Sequence, residues 1–124
     1  MGGPTPAKPP RRLLLVEDDP ATSGALRVIL GRKGWQVVVV STVAEALALL
    51  DGPSFRWLVL DLMLPDGDGT ALLRKIRDER LDTRVAVTTG SSDAARLRAV
   101  TELRPELFLV KPIDLPALLQ GLDE

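Results

Sequence analysis

The feature that most constrains the fold is an alternation. Short runs rich in apolar and β-branched residues, at 13–16, 37–40, 57–60, 85–89 and 107–110, each give way to apolar residues at helical spacing. Short runs of this kind, bounded by turn signals, read as buried strands. The helical stripes are Leu26, Ile29 and Leu30, then Val43, Leu47 and Leu50, then Leu72, Leu73 and Ile76. Leu97, Val100 and Leu103 form a fourth stripe, and Leu115, Leu118, Leu119 and Leu122 a fifth. Five strands alternating with five helices predict an α/β fold, with a parallel sheet and right-handed crossovers.

Local signals agree with that frame. Asp19 is placed to N-cap the first helix, with Pro20 at its first position, and Gly34 to end it as the C′ residue. Thr42-Val43-Ala44-Glu45 has the spacing of a capping box, and Gly52 lies near the end of that helix. The third helix is expected over 70–80 and the fourth over 93–103.

Length and composition narrow the classes further. The chain has 124 residues, enough for one domain with a single core. A hydrophobic content of 45% excludes wholesale disorder, and no apolar run reaches membrane-spanning length. Sixteen basic and seventeen acidic residues leave a net charge of −1, so no global field favours nucleic acid or a membrane. Cysteine and histidine are both absent, which excludes disulfides, zinc sites of the Cys/His type, and thiol or imidazole catalysis. Any metal would be a hard cation on oxygen ligands. Residues 1–12 hold four prolines, two glycines, Lys8, Arg11 and Arg12, and are expected to form a flexible arm. The domain is expected over 13–122, with 123–124 as a tail. Without a secretory pattern at the N-terminus, the expected location is cytoplasmic.

Polar residues collect where the runs end. Trp57-Leu58-Val59-Leu60 stops at Asp61, and Pro65, Gly67 and Gly69 follow. The first run ends at Glu17 and Asp18, the fourth at Thr89 and the fifth at Lys111, while the second leads into Ser41 and Thr42. In open α/β sheets, chemistry sits beyond the carboxyl ends of the strands, where the strand order reverses. In a doubly wound order 2-1-3-4-5, Glu17, Asp18 and Asp61 would converge on one crevice. Three like charges there call for a cation. With oxygen ligands alone and too few for a full cage, Mg²⁺ retaining several waters is the natural choice.

The chain resembles a receiver domain of the two-component response regulators. The resemblance rests on Val16-Glu17-Asp18-Asp19-Pro20, on Asp61-Leu62-Met63-Leu64-Pro65-Asp66-Gly67-Asp68-Gly69, on Thr89-Gly90 and on Phe108-Leu109-Val110-Lys111-Pro112. These segments occur in the family's order and at suitable intervals over 12–122. The resemblance implies a flavodoxin-like doubly wound sheet, and the order 2-1-3-4-5 is taken from the family, a receiver protein being a known example of it. It implies that Asp61 accepts a phosphoryl group from a phosphohistidine on a histidine kinase or phosphotransfer protein. It also implies that Glu17, Asp18, Asp61 and the Met63 carbonyl hold Mg²⁺, directly or through water. Thr89 is similar to the hydroxyl that bonds a phosphoryl oxygen, Lys111 to the lysine that pairs with the acyl phosphate, and Phe108 to the switch aromatic. In similar proteins the peptide bond at Lys111-Pro112 is cis.

Such a domain is a signalling switch with intrinsic Mg²⁺-dependent phosphotransfer and self-hydrolysis rather than a metabolic enzyme. A downstream protein partner or effector domain is expected, with no direct nucleic-acid or membrane binding, and the chain is expected to be a monomer or weak dimer. Arg104-Pro105-Glu106 departs from the Gly-Ala often found at this point in the family. Arg96, Arg98 and Arg104 are expected to be exposed near it. Two rivals share the segment Asp66-Gly67-Asp68-Gly69-Thr70. A haloacid-dehalogenase-type phosphatase needs its first aspartate at the strand end, but the strand stops five residues earlier. A calcium loop lacks its bidentate glutamate. A third rival, a receiver-like module that is not phosphorylated, sits poorly with a complete acidic pocket.

Overall fold

A computed structural model describes residues 11–90 and 94–122. Most of the expected arm, the expected helix start at Asp93 and the tail lie outside the described residues. The elements run β1 (Arg12–Val16), α1 (Pro20–Arg32), β2 (Gln36–Val40), α2 (Val43–Leu50), β3 (Trp57–Asp61), β4 (Met63–Leu64) and β5 (Gly67–Asp68). They continue with α3 (Thr70–Asp78), β6 (Arg84–Thr89), α4 (Ala94–Glu102), β7 (Leu107–Val110) and α5 (Leu115–Leu122).

The main sheet has the order β2-β1-β3-β6-β7, parallel throughout. This is the expected doubly wound order once the small β4–β5 hairpin is set aside. Alternation along the strands divides the core in two. Leu14, Val16, Leu58, Leu60, Val85 and Val87 pack with Val43, Ala46, Leu72, Ile76 and Val100 of α2, α3 and α4. Leu13, Leu15, Trp57, Val59 and Ala86 pack with Leu26, Leu30, Leu118 and Leu122 of α1 and α5.

Some details depart from the sequence pattern. Arg12 belongs to β1 and the Arg11 guanidinium stacks 4.3 Å from the Trp35 ring, so the fold begins inside the stretch grouped with the arm. Ala46, rather than Leu47, is the fully covered central position of α2, because a small residue lets the helix approach the sheet. The hairpin β4–β5 has no counterpart in the expectations, since two-residue strands carry no periodicity to read.

The atypical connection after α4 has a local explanation. Arg104 adopts φ 53°, a left-handed conformation that costs a non-glycine residue on the order of 1 kcal/mol. Arg77 of α3 compensates by donating to the Leu103 carbonyl at 3.0 Å and the Arg104 carbonyl at 2.7 Å. Glu106 accepts from the Val85 N–H at 2.7 Å and pairs with Arg77 at 3.3 Å. Side chains thus do here what a C-terminal glycine does elsewhere.

Candidate functional site

The carboxyl edge of the sheet collects the polar strand ends. Asp61 is the last residue of β3, and β1 delivers Glu17 and Asp18 from the neighbouring strand. Glu17 is 3% exposed and Asp61 5% exposed. Asp18, by contrast, faces solvent. One carboxylate oxygen from each of Glu17, Asp18 and Asp61 lies within 4.8 Å of the others. Among the described residues this is the acidic group compact enough to share a cation.

Lys111 closes the group from the far edge of the sheet. Its Nζ donates to Glu17 Oε1 at 2.9 Å and to Asp61 Oδ2 at 3.0 Å. The Glu17 N–H is tied to the Val40 carbonyl at 3.1 Å, and the Lys111 N–H donates to the Thr89 carbonyl at 2.8 Å. The remaining Glu17 oxygen accepts from the Asp19 N–H at 3.2 Å, and Asp61 Oδ1 accepts from the Met63 N–H at 3.0 Å. Both oxygens of Glu17 and both of Asp61 are therefore held in place by backbone or by Lys111.

The electrostatics follow from that geometry. Burial pushes the Glu17 carboxyl above its ordinary range, against the Lys111 and Asp19 hydrogen bonds, and the Asp61 carboxylate adds to the rise. For Lys111, burial opposes the charge, but Glu17 and Asp61 outweigh it and its pKa is raised. Lys111 thus stays charged at neutral pH. The donor set consists only of carboxylate oxygens, with a compensating ammonium, and it suits a small hard cation rather than a soft metal.

The other expected residues lie on the two strands next to β3 on that side of the sheet. Thr89 ends β6 and is fully buried. Among the described residues, a methyl added at Gly90 would meet the Lys111 Cβ at 4.0 Å, an ordinary van der Waals contact. Phe108 lies on the edge strand β7, 37% exposed. The Lys111–Pro112 peptide bond is cis, as the resemblance implies. Gly69 is required by contact: a Cβ there would stand 2.8 Å from the Leu60 side chain and 3.0 Å from the Asp61 carbonyl. That close approach seats α3 against the strand that carries Asp61.

Asp66 and Asp68 serve other purposes. Asp66 accepts from the Val43 and Ala44 N–H groups at 2.8 and 3.0 Å, capping α2 from a distant loop. Asp68 accepts from the Thr70 N–H at 2.9 Å to cap α3, and pairs with Arg96 at 3.1 Å. Arg96 is thus partly covered, not free on the surface as expected, while Arg98 and Arg104 are exposed. The sequence reading also missed Asp66 as a cap, because its partner helix lies some twenty residues earlier in the chain.

A family model, the response regulator receiver domain, matches residues 13–123. The chain belongs to that family. The receiver domain is 35% identical over 114 residues to the transcriptional regulatory protein TrcR of Mycobacterium tuberculosis, covering 91% of this chain and 44% of that protein. The chain spans about half the length of the curated relatives it matches. Among solved structures, a CheY-like receiver domain protein from Methanospirillum hungatei superposes with a TM-score of 0.84 at 27% identity, covering 91% and 90% of the two chains. A response regulator from Burkholderia pseudomallei, solved with a phosphorylated aspartic acid and a calcium ion, gives a TM-score of 0.80 at 27% identity over 90% of this chain and 66% of that one. Among the described residues, no helix of the receiver domain is long and apolar enough to cross a membrane.

Proposed function

We propose that Asp61 accepts a phosphoryl group from a phosphohistidine of a histidine kinase or phosphotransfer protein, with Mg²⁺ required. The observation that carries this reading is the buried Asp61 carboxylate held at 3.0 Å by Lys111 beside Glu17 and Asp18. The Burkholderia structure supports it, since a related fold there carries a phosphorylated aspartate and a divalent cation.

Glu17, Asp18 and Asp61, with the Met63 carbonyl, would hold Mg²⁺. Bound there, the cation supplies charge neutralisation for a phosphoryl group. The protein's own residues do the positioning. An Asp61 oxygen attacks phosphorus, the P–N bond breaks, and its electron pair returns to the donor imidazole. Lys111 follows the charge from carboxylate to phosphoryl oxygen. Such transfers need little covalent machinery beyond positioning and electrostatics. The Thr89 hydroxyl binds a phosphoryl oxygen, and Phe108 responds to its movement. Later hydrolysis returns the carboxylate. The receiver unit runs from β1, beginning at Arg12, to α5, ending at Leu122, and its output passes to a downstream protein partner or effector domain.

A groove of about 410 Å³ between α1 and the start of α5 is lined by Leu26, Ile29, Pro112 and Leu115, with Lys111 at its margin. A donor protein that delivers its histidine to Asp61 would cover this groove.

Acetyl phosphate with Mg²⁺ tests the proposal. Intact mass and peptide mapping are expected to place a single phosphoryl adduct on Asp61, lost in Asp61→Asn. Labelling that persists in that variant, or that maps to Asp66 or Asp68, overturns the reading.

A further inference from the structure

The edge of the sheet opposite the pocket carries the reverse charge. Arg12, Arg56 and Arg84 stand in a row where β1, β3 and β6 begin. The Arg56 N–H donates to the Arg12 carbonyl at 2.8 Å, and the Arg84 N–H to the Arg56 carbonyl at 3.0 Å. Neighbouring strands lie about 4.8 Å apart, so this edge plants an arginine at each such step. The Trp35 ring is shared by two further contacts, with the Arg11 guanidinium 4.3 Å and the Arg56 guanidinium 5.9 Å from its centroid. The net charge of the chain is −1, so a basic edge is a matter of arrangement, not of composition.

Arg80 joins this edge from the end of α3, and does so under strain. Its φ is 53°, a conformation that favours glycine. The helix end is closed by backbone, with the Arg80 N–H donating to the Arg77 carbonyl at 3.2 Å and the Leu81 N–H to the Ile76 carbonyl at 3.0 Å. A glycine would close the turn equally well. What arginine adds is an exposed guanidinium, and a strained residue that the turn itself does not need points to a use elsewhere. Two cavities open at this edge and share Asp82. One, of about 220 Å³, is lined by Arg56, Trp57, Asp82 and Arg84, and the other, of about 210 Å³, by Phe55, Arg80 and Asp82 among others. Among the described residues no carboxylate, Asp82 included, forms an ion pair with Arg56 or Arg80.

We propose that this amino edge is a docking surface for an acidic peptide segment of a partner protein, whose carboxylates meet Arg56, Arg80 and Arg84. Charge complementarity sets the class, because the planar fork of a guanidinium matches a carboxylate in two places. Asp82 selects against nucleic acid. A phosphate chain carries a charge at every unit and would run across this carboxylate, whereas a peptide can set an amide or a lysine there. The surface lies at the other end of β3 from Asp61, and the inference does not rest on the phosphoacceptor reading.

Trp35 and Trp57 are the two tryptophans of the chain, and both lie at this edge, so their indole N–H signals report docking in an NMR titration of the full chain. The probes are an oligoglutamate peptide and, as the rival polyanion, a single-stranded RNA of equal length. Oligoglutamate is expected to shift the indole signals, with an affinity that falls as salt is added. Arg56→Glu is expected to weaken binding about tenfold or more, since a repulsion replaces an attraction. Arg80→Gly is expected to raise the melting temperature by relieving the left-handed strain while weakening binding, a pair of effects that a merely structural arginine does not combine. Arg98→Glu, at an exposed position on α4, is expected to leave binding unchanged. Indole signals that stay in place at roughly millimolar peptide overturn the surface. Equal weakening by Arg98→Glu and Arg56→Glu reduces it to unspecific charge attraction, and tighter binding of the RNA overturns the class of partner.

Discussion

Lys111 and Asp61 meet at 3.0 Å although their strands, β7 and β3, are not neighbours: the lysine reaches over β6 to find the carboxylate. The same ammonium touches Glu17, on the far side of β3. One side chain thus ties three strand ends together at the pocket. Removing it leaves two buried carboxylates without their counter-charge, the costly way to break a buried ion pair. Removing it also strips a preorganised donor from the phosphoryl group. Lys111→Ala is expected to slow phosphorylation of Asp61 by about 10²–10³, the usual loss for one such donor. Single-turnover labelling with acetyl phosphate measures it, and a wild-type rate reduces Lys111 to a structural cation.

Crowding of Glu17, Asp18 and Asp61 predicts a response to divalent cation. Mg²⁺ binding the folded state alone raises stability with occupancy, by about 2.7 kcal/mol at a hundred times Kd. The melting temperature is therefore expected to climb with Mg²⁺ concentration. Asp18 is exposed and takes no part in the Lys111 bridge, so Asp18→Asn should weaken binding without unfolding the domain. Calorimetry is the suitable measurement. Trp57 begins β3 where Asp61 ends it, which at strand rise separates their Cα atoms by roughly 13 Å. Equal Mg²⁺ affinity in the two proteins removes Asp18 from the site.

How much of this was legible in the sequence depends on the range of each signal. The strand ends at Asp61, Glu17, Thr89 and Lys111 could be read because an apolar run that stops at a polar residue is a local pattern. The Asp19 cap and its proline were likewise local, and Asp19 accepts from the Ala21 N–H as that pattern requires. Leu97 and Leu103 sit at helical spacing with Val100, yet of the three only Val100 is fully buried. The Asp66 cap, the Arg77 brace and the Arg96 bridge are tertiary. Each joins residues about 20 to 30 positions apart, where no periodicity connects them.

Asp66 gives a pH prediction. The Val43 N–H, and then the Ala44 N–H, hold its carboxyl below the ordinary value of 3.8. A depressed folded pKa means that the stabilising contribution is complete above 3.8. It is lost as pH falls through the lower folded value. Asp66→Ala is expected to lower the melting temperature at neutral pH. The gap from wild type should narrow only as pH falls below that value. Hydrogen exchange at the start of α2 locates the effect. A gap that closes between pH 7 and pH 5 assigns the loss to some group other than this carboxylate.

The register of β6 and β7 makes the last prediction. Thr89 stands opposite Val110, and Val87 opposite Phe108, so Thr89 and Phe108 share one face of the sheet. That face is the one Val87 and Val100 cover from inside. Thr89 is fully buried while Phe108 remains 37% exposed, which places the ring on the outer side of an edge strand. A Thr89 hydroxyl drawn toward a phosphoryl group vacates volume that the ring can fill, giving two states that one added group biases. Phe55 and Phe108 are the two phenylalanines, and Phe55 is 2% exposed, so ring-labelled phenylalanine carries its own internal control. Beryllofluoride with Mg²⁺ is expected to shift the Phe108 signals and leave those of Phe55 in place. Thr89→Ala should still accept phosphate at Asp61, more slowly, while Phe108 stays where it is. Light scattering on the same samples is expected to show a monomer or weak dimer before the mimic is added. If Phe108 does not move in wild type whose Asp61 carries the phosphoryl group, the ring is an ordinary edge-strand aromatic and the output runs through another part of the α4 face.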